Sequence, residues 1–216
     1  MYEQHGWMFP DQDTHFADML TKNIQKGGGP VYQEPVRQKS LTFVTEFDVA
    51  LDVGANIGLW SRDLCSRFTK VIAFEPVADF RECLILNVPS PNLEVRPCAL
   101  GSADTTIEMV ITEGNTGHSH VDHNTVGSGK INMWRLDTLE FDKIDYIKLD
   151  CEGYELEILK GAEETIKQHK PIIVVEQKLH KDTGITKDTQ YGAVNLLESW
   201  GAKRLSQVRN DCILGW

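Results

Sequence analysis

Residues 47–53 read as a strand that breaks at Gly54, and Trp60, Leu64 and Phe68 then fall on one helical face. Strand, glycine turn and amphipathic helix in that order make half of a βαβ unit, and the alternation continues. Val71–Phe74 is a second strand-like run, followed by a helix carrying Phe80, Leu84 and Val88 that Pro89 and Pro91 close. Leu93–Leu100, Tyr146–Leu149 and Ile172–Val175 are further apolar runs. Ile158, Ala162 and Ile166 share a stripe in a helix over Tyr154–His169, and Ala193, Leu197 and Trp200 mark a last helix. Arg204–Val208 and Asp211–Trp216 look like a terminal hairpin. Strands separated by helices pair in parallel through crossovers, which predicts an open α/β sheet. One stretch departs from this order: Thr105–Ile111 and Lys130–Leu136 alternate like strands where a helix is due. They predict an inserted antiparallel pair joined by the polar loop Thr112–Gly129.

A chain of 216 residues suits one domain. The sheet occupies residues 47–216, while residues 1–46 show no strand order and hold one helix candidate, Phe16–Ile24. Gly27–Gly29 and Pro30 set that segment apart, as a lid or a docking arm. The 22 basic residues against 32 acidic ones leave a net charge of −10, a field that repels phosphate. A general nucleic-acid or anionic-membrane binder is disfavoured. No apolar run approaches the roughly 20 residues that span a bilayer, and the start lacks the pattern of a secretory signal. Five scattered cysteines do not suggest a disulfide framework, so the expected location is cytoplasmic.

The first loop, Asp52-Val-Gly54-Ala-Asn56-Ile-Gly58, lies where open α/β sheets bind ligands. A dinucleotide site wants G-x-G-x-x-G, yet Asn56 takes the middle glycine position and Leu59 the last. Asp52 would also repel a pyrophosphate. An amine suits that carboxylate better, and S-adenosylmethionine carries an ammonium, a sulfonium and a ribose but no phosphate. Glu75, followed by Pro76, ends the second strand 17 residues after Gly58, where a carboxylate can accept both ribose hydroxyls. NAD proteins use an acidic residue in a similar way, so an NAD(P)-linked oxidoreductase stands as the alternative.

These residues resemble the FkbM-type family of S-adenosylmethionine-dependent methyltransferases. The carrying segments are Leu51–Gly58, Ala73-Phe-Glu-Pro76, Ala99-Leu-Gly101, Asp137-Thr-Leu139 and, most specifically, Lys148-Leu-Asp-Cys-Glu-Gly-Tyr-Glu155 with Leu159-Lys-Gly-Ala162. Lys170–Glu176 extends the match. The resemblance implies a class I methyltransferase sheet, Rossmann-like and mostly parallel, with seven strands, helices on both faces and an antiparallel last strand. It implies that Asp52, Gly54 and Gly58 line the methionine end of the cofactor, with Asn56 in the same loop. Glu75 and Pro76 would meet the ribose, Cys98 and Ala99 the adenine, and Asp150 and Glu152 the methyl group. The implied acceptor is a hydroxyl of a sugar, glycan or secondary metabolite.

Methyl transfer from a sulfonium needs an aligned acceptor and a group that takes its proton. Asp150 is the first choice beside the amine and the acceptor, and Glu152 the candidate base; Glu152 as a mere helix cap weighs about equally. Asp150 and Glu176, with His180, offer oxygen ligands for a divalent cation, the less favoured reading. His118, after Gly117, is a candidate catalytic or acceptor-positioning residue in a loop that otherwise reads as solvated. A module that binds the cofactor without transferring its methyl group is a further alternative.

Overall fold

The computed structural model describes residues 1–11, 13–178 and 189–216. It opens with a hairpin of β1 (Tyr2–Gln4) and β2 (Trp7–Phe9), then α1 (His15–Gln25) and α2 (Glu34–Leu41). Next come β3 (Val49–Val53), α3 (Ser61–Cys65), β4 (Lys70–Phe74), α4 (Ala78–Asn87) and β5 (Leu93–Arg96). An insertion follows, with β6 (Ala99–Leu100), β7 (Thr105–Ile107), β8 (Met109–Val110), β9 (His120–Val121) and β10 (Ile131–Trp134). The chain then returns through β11 (Tyr146–Leu149), α5 (Glu155–Lys160), α6 (Glu163–His169) and β12 (Ile172–Glu176). It ends with α7 (Gly192–Ser199), β13 (Lys203–Val208) and β14 (Asp211–Gly215).

The main sheet has the order β13-β14-β12-β11-β3-β4-β5. The pairs from β12 through β11, β3 and β4 to β5 are parallel. β14 runs antiparallel to both its neighbours, β12 and β13. The sheet is therefore mixed. Its pleat separates two cores. Leu51, Val53, Ile147, Leu149, Ile173 and Val175 face α5–α7 and the insertion. Ala50, Tyr146 and Val174 face the other way, towards Val36 of α2 and Trp60, Leu64 and Phe68 around α3. Among the described residues no helix is long and apolar enough to cross a membrane.

Four features differ from the sequence reading. Leu93–Leu100 is two strands in two sheets, because Pro97 cannot donate to the ladder and the chain crosses over after Arg96. The insertion is more than a pair: β10 lies antiparallel to β7 but also parallel to β6. The helix expected over Tyr154–His169 breaks at Gly161. Asp137, from the Asp-Thr-Leu motif, accepts the Thr165 amide at 2.8 Å and so starts α6 afresh. Finally, residues 1–46 do contain strands. His5 (φ 55°) and Gly6 (φ 74°) turn the β1–β2 hairpin with the two left-handed residues a tight turn requires.

Candidate active site

A crevice of about 840 Å³, open to solvent, runs across the carboxyl ends of β3, β4 and β11. Gly54, Asn56, Glu75, Pro76, Cys98, Ala99, Asp150 and Glu152 line it, so most of the sequence-derived candidates share one cavity. Three do not. Asp52 is fully buried, because the pleat turns its side chain under α3, where its Oδ2 accepts the Ser61 hydroxyl at 2.6 Å. Lys148 Nζ stands 3.2 Å from its Oδ1. Gly58 serves packing: it has φ 90°, and an added methyl would come within 2.8 Å of Val88. His118 closes the short helical turn Thr116–His118 with its ring 6.3 Å from that of His15; its neighbours Gly117 and Ser119 line the crevice instead. His180 lies outside the described residues.

At one end, the backbone amides of Asn56 and Val77 hold the two oxygens of Glu75, each at 2.8 Å. Burial still dominates and pushes this carboxyl up to about 7. The surrounding wall is apolar, with Phe74, Phe80, Met109, Val121 and Ile158.

At the other end, Asp150-Cys-Glu152-Gly153 forms a tight turn after β11. Glu152 takes a left-handed φ of 52°, an uncommon conformation for this residue. Glu155 fixes the turn by accepting the Cys151 amide at 2.7 Å and that of Gly153 at 3.3 Å. Across it stands Glu176 of β12. One carboxylate oxygen from each of Asp150, Glu152 and Glu176 lies within 4.8 Å of the others. Among the described residues Lys178 pairs with them, with Nζ 2.9 Å from Glu152 Oε2 and 3.3 Å from Glu176 Oε2. Desolvation and the Glu176 charge push Asp150 up to about 6. Desolvation and the Asp150 charge raise Glu152 to about 8, against the pull of Lys178. Asp211 of β14, facing the same group, is raised to about 7 by burial. Among the described residues the carboxylates around this turn outnumber the lysines Lys148 and Lys178, so this end favours a cation.

Residues 1–46 supply part of the wall. Phe16 and Tyr32 line the crevice, with their rings edge to face at 5.3 Å. Asn56 donates to the Thr116 carbonyl at 3.2 Å, the Thr116 hydroxyl donates to Asp13, and Asp13 in turn accepts the Phe16 amide. That chain ties the first loop, the insertion and α1 together. Sequence reasoning missed Tyr32, Lys178 and Asp211, which carry no motif. Glu155 stood inside the most specific motif and was readable there as a turn cap.

Residues 52–203 match the methyltransferase FkbM domain. The chain belongs to the FkbM methyltransferase family. Hexuronic acid methyltransferase AglP of Haloferax volcanii is 34% identical over 137 residues, which cover 60% of this chain and 56% of that protein. The AMB antimetabolite synthetase AmbE of Pseudomonas aeruginosa is 25% identical over 212 residues, covering 77% of this chain and 10% of that one. The chain thus spans about half the length of the first relative and a tenth of the second. The crystal structure of the FkbM methyltransferase from Methylobacillus flagellatus shares the fold. Its TM-score is 0.53 at 21% identity, over 79% of this chain and 44% of that one. The FkbM match begins at Asp52, so Phe16, Tyr32 and the rest of the N-terminal wall precede the matched domain.

Proposed function

We propose that the chain transfers a methyl group from S-adenosylmethionine to a hydroxyl of a sugar or glycan-type acceptor, on the sheet of a class I methyltransferase. The observation that carries this reading is that Glu75 and Asp150 face one crevice from the ends of β4 and β11, the strands on either side of β3, with an apolar wall beside Glu75 and excess negative charge beside Asp150. In this reading Glu75 accepts the ribose hydroxyls and the apolar wall around Cys98 and Ala99 takes the adenine. Asp150, rather than the enclosed Asp52, meets the methionine ammonium. The likeness to a hexuronic acid methyltransferase supports a sugar-type acceptor.

The donor is already activated, so the protein's work is alignment and proton removal. Alignment alone is worth on the order of 7–11 kcal/mol in good intramolecular models. Glu152 is the candidate base: a carboxyl pushed up to about 8 is a stronger proton acceptor than an ordinary one. Lys178 holds it in place. Because that ammonium already sits between Glu152 and Glu176, we read the transfer as independent of a divalent metal.

Isothermal titration calorimetry with S-adenosylmethionine, S-adenosylhomocysteine and NAD tests the cofactor. Micromolar binding of the first two is expected. Preference for NAD overturns the reading in favour of the oxidoreductase, and binding without transfer to any of a panel of hydroxylated sugars favours the non-catalytic module.

A further inference from the structure

Gln33 precedes α2 with φ 47° and ψ 30°, in the left-handed region. A glycine would adopt that conformation freely, whereas a glutamine is strained there. Its surroundings hold it in place. The buried Arg37 donates to the Tyr32 carbonyl at 2.6 Å and to Asp63 at 3.0 Å, with its guanidinium over the Trp60 ring at 5.7 Å. The turn is thereby bracketed to α3.

The Gln33 amide has one chemically allowed orientation. The Trp60 indole N–H is a donor only, and it lies 2.6 Å from Gln33 Oε1. The other end of the amide, Nε2, must therefore be the group that faces Asp150 Oδ2, at 3.5 Å. Trp60 is 2% exposed and lines the crevice, while Gln33 and Asp150 are half-buried.

We propose that Gln33 is a positioning residue for Asp150: its amide, oriented by the Trp60 indole, holds one oxygen of the Asp150 carboxylate and leaves the other for the ligand. Other charges pull on the same carboxylate. Glu176 and Lys178 face it from β12 and its continuation, Lys148 from β11, and Glu152 from the turn. Asp211 of β14, Glu155 of α5 and the Tyr32 phenol face it as well. Among so many competing carboxylates, a neutral donor fixed from behind orients Asp150 without adding charge. Part of the binding machinery then lies ahead of residues 52–203, the stretch that matches the family domain.

The proposal rests on the cofactor reading above, and a double-mutant cycle separates the two. S-adenosylmethionine affinity is measured by calorimetry for the wild type, Gln33→Met, Asp150→Ala and the double variant. Methionine matches the length of glutamine and lacks both polar atoms. Gln33→Met is expected to weaken binding roughly 3- to 10-fold, the range for one ordinary hydrogen bond, as suits a contact of 3.5 Å. In the Asp150→Ala background the same change is expected to cost less than about 2-fold, because Gln33 acts through Asp150. Equal losses in both backgrounds, or no loss in either, overturn the proposal.

Nuclear magnetic resonance reads the relay without any ligand. The indole N–H proton of Trp60, assigned with Trp60→Phe, is expected to shift upfield in Gln33→Met and to move in Asp150→Ala as well. An unmoved resonance in Asp150→Ala overturns the proposal. A wild type that binds no S-adenosylmethionine but shows the coupled resonance overturns only the cofactor reading. Gln33→Leu repeats both measurements where the methionine variant fails to fold.

Discussion

Gly54 and Asp150 meet backbone to backbone: a methyl group built on Gly54 would lie 2.2 Å from the Asp150 carbonyl oxygen and 3.0 Å from Cys151 Sγ. Gly54 also has a φ of 74°. The loop after β3 and the turn after β11 thus pack directly against each other and leave no room for a side chain at Gly54. Gly54→Ala is expected to lower Tm by roughly 3–8 °C and to weaken S-adenosylmethionine binding at least tenfold. Differential scanning fluorimetry and calorimetry check both. Wild-type values for both would show that the contact is dispensable.

Glu75 is half protonated near neutral pH, because burial pushes its carboxyl up to about 7. Ribose hydroxyls donating to it favour the ionised form, so cofactor binding at pH 7 is expected to release protons. Calorimetry in phosphate and in Tris, buffers of different ionisation enthalpy, measures the release. Glu75→Gln is expected to reduce it and to weaken binding roughly 10- to 100-fold. Unchanged affinity in that variant would remove Glu75 from the ribose.

Burial also pushes Glu155 and Asp211 up to about 7. Between about pH 4.5 and 7 the folded chain therefore holds protons that the unfolded chain has released, and stability falls as pH rises through that window. The unliganded protein is expected to melt highest near pH 5 and lower at pH 8, by on the order of 5 °C. Thermal denaturation across that range measures it, and a rise in Tm towards pH 8 would contradict the assigned shifts.

Lys178 bridges Glu152 and Glu176. Lys178→Met removes one positive charge from beside those carboxylates, at an expected cost of about 1–2 kcal/mol at pH 8, since the pair is only partly buried. The cost is expected to shrink at pH 5, where the carboxyls can take up protons. Urea denaturation at the two pH values reads the difference. With Lys178 in place, dialysis against a chelator is expected to leave methyl transfer unchanged; loss of transfer, restored by magnesium, would assign the cluster to a metal.

The strands were legible because each is a short apolar run bounded by breakers, and Tyr146–Leu149 falls where the pattern puts it. The break at Gly161 was hidden because Ile158, Ala162 and Ile166 keep one stripe through it, while the cap that restarts the helix comes from the distant Asp137. At the crevice, position along a strand was readable but facing was not. Asp52 sits near a strand end as expected, yet the pleat turns it under α3. Gln33, Tyr32 and Lys178 belong to stretches without a motif, and only the tertiary fold brings them to the turn at Asp150.

The most direct measurement is a crystal structure of the protein soaked with S-adenosylhomocysteine. The expected density shows the ribose hydroxyls on Glu75 and the ammonium within hydrogen-bond distance of Asp150. An empty crevice at saturating ligand, or the ligand bound elsewhere on the chain, would contradict the proposed site.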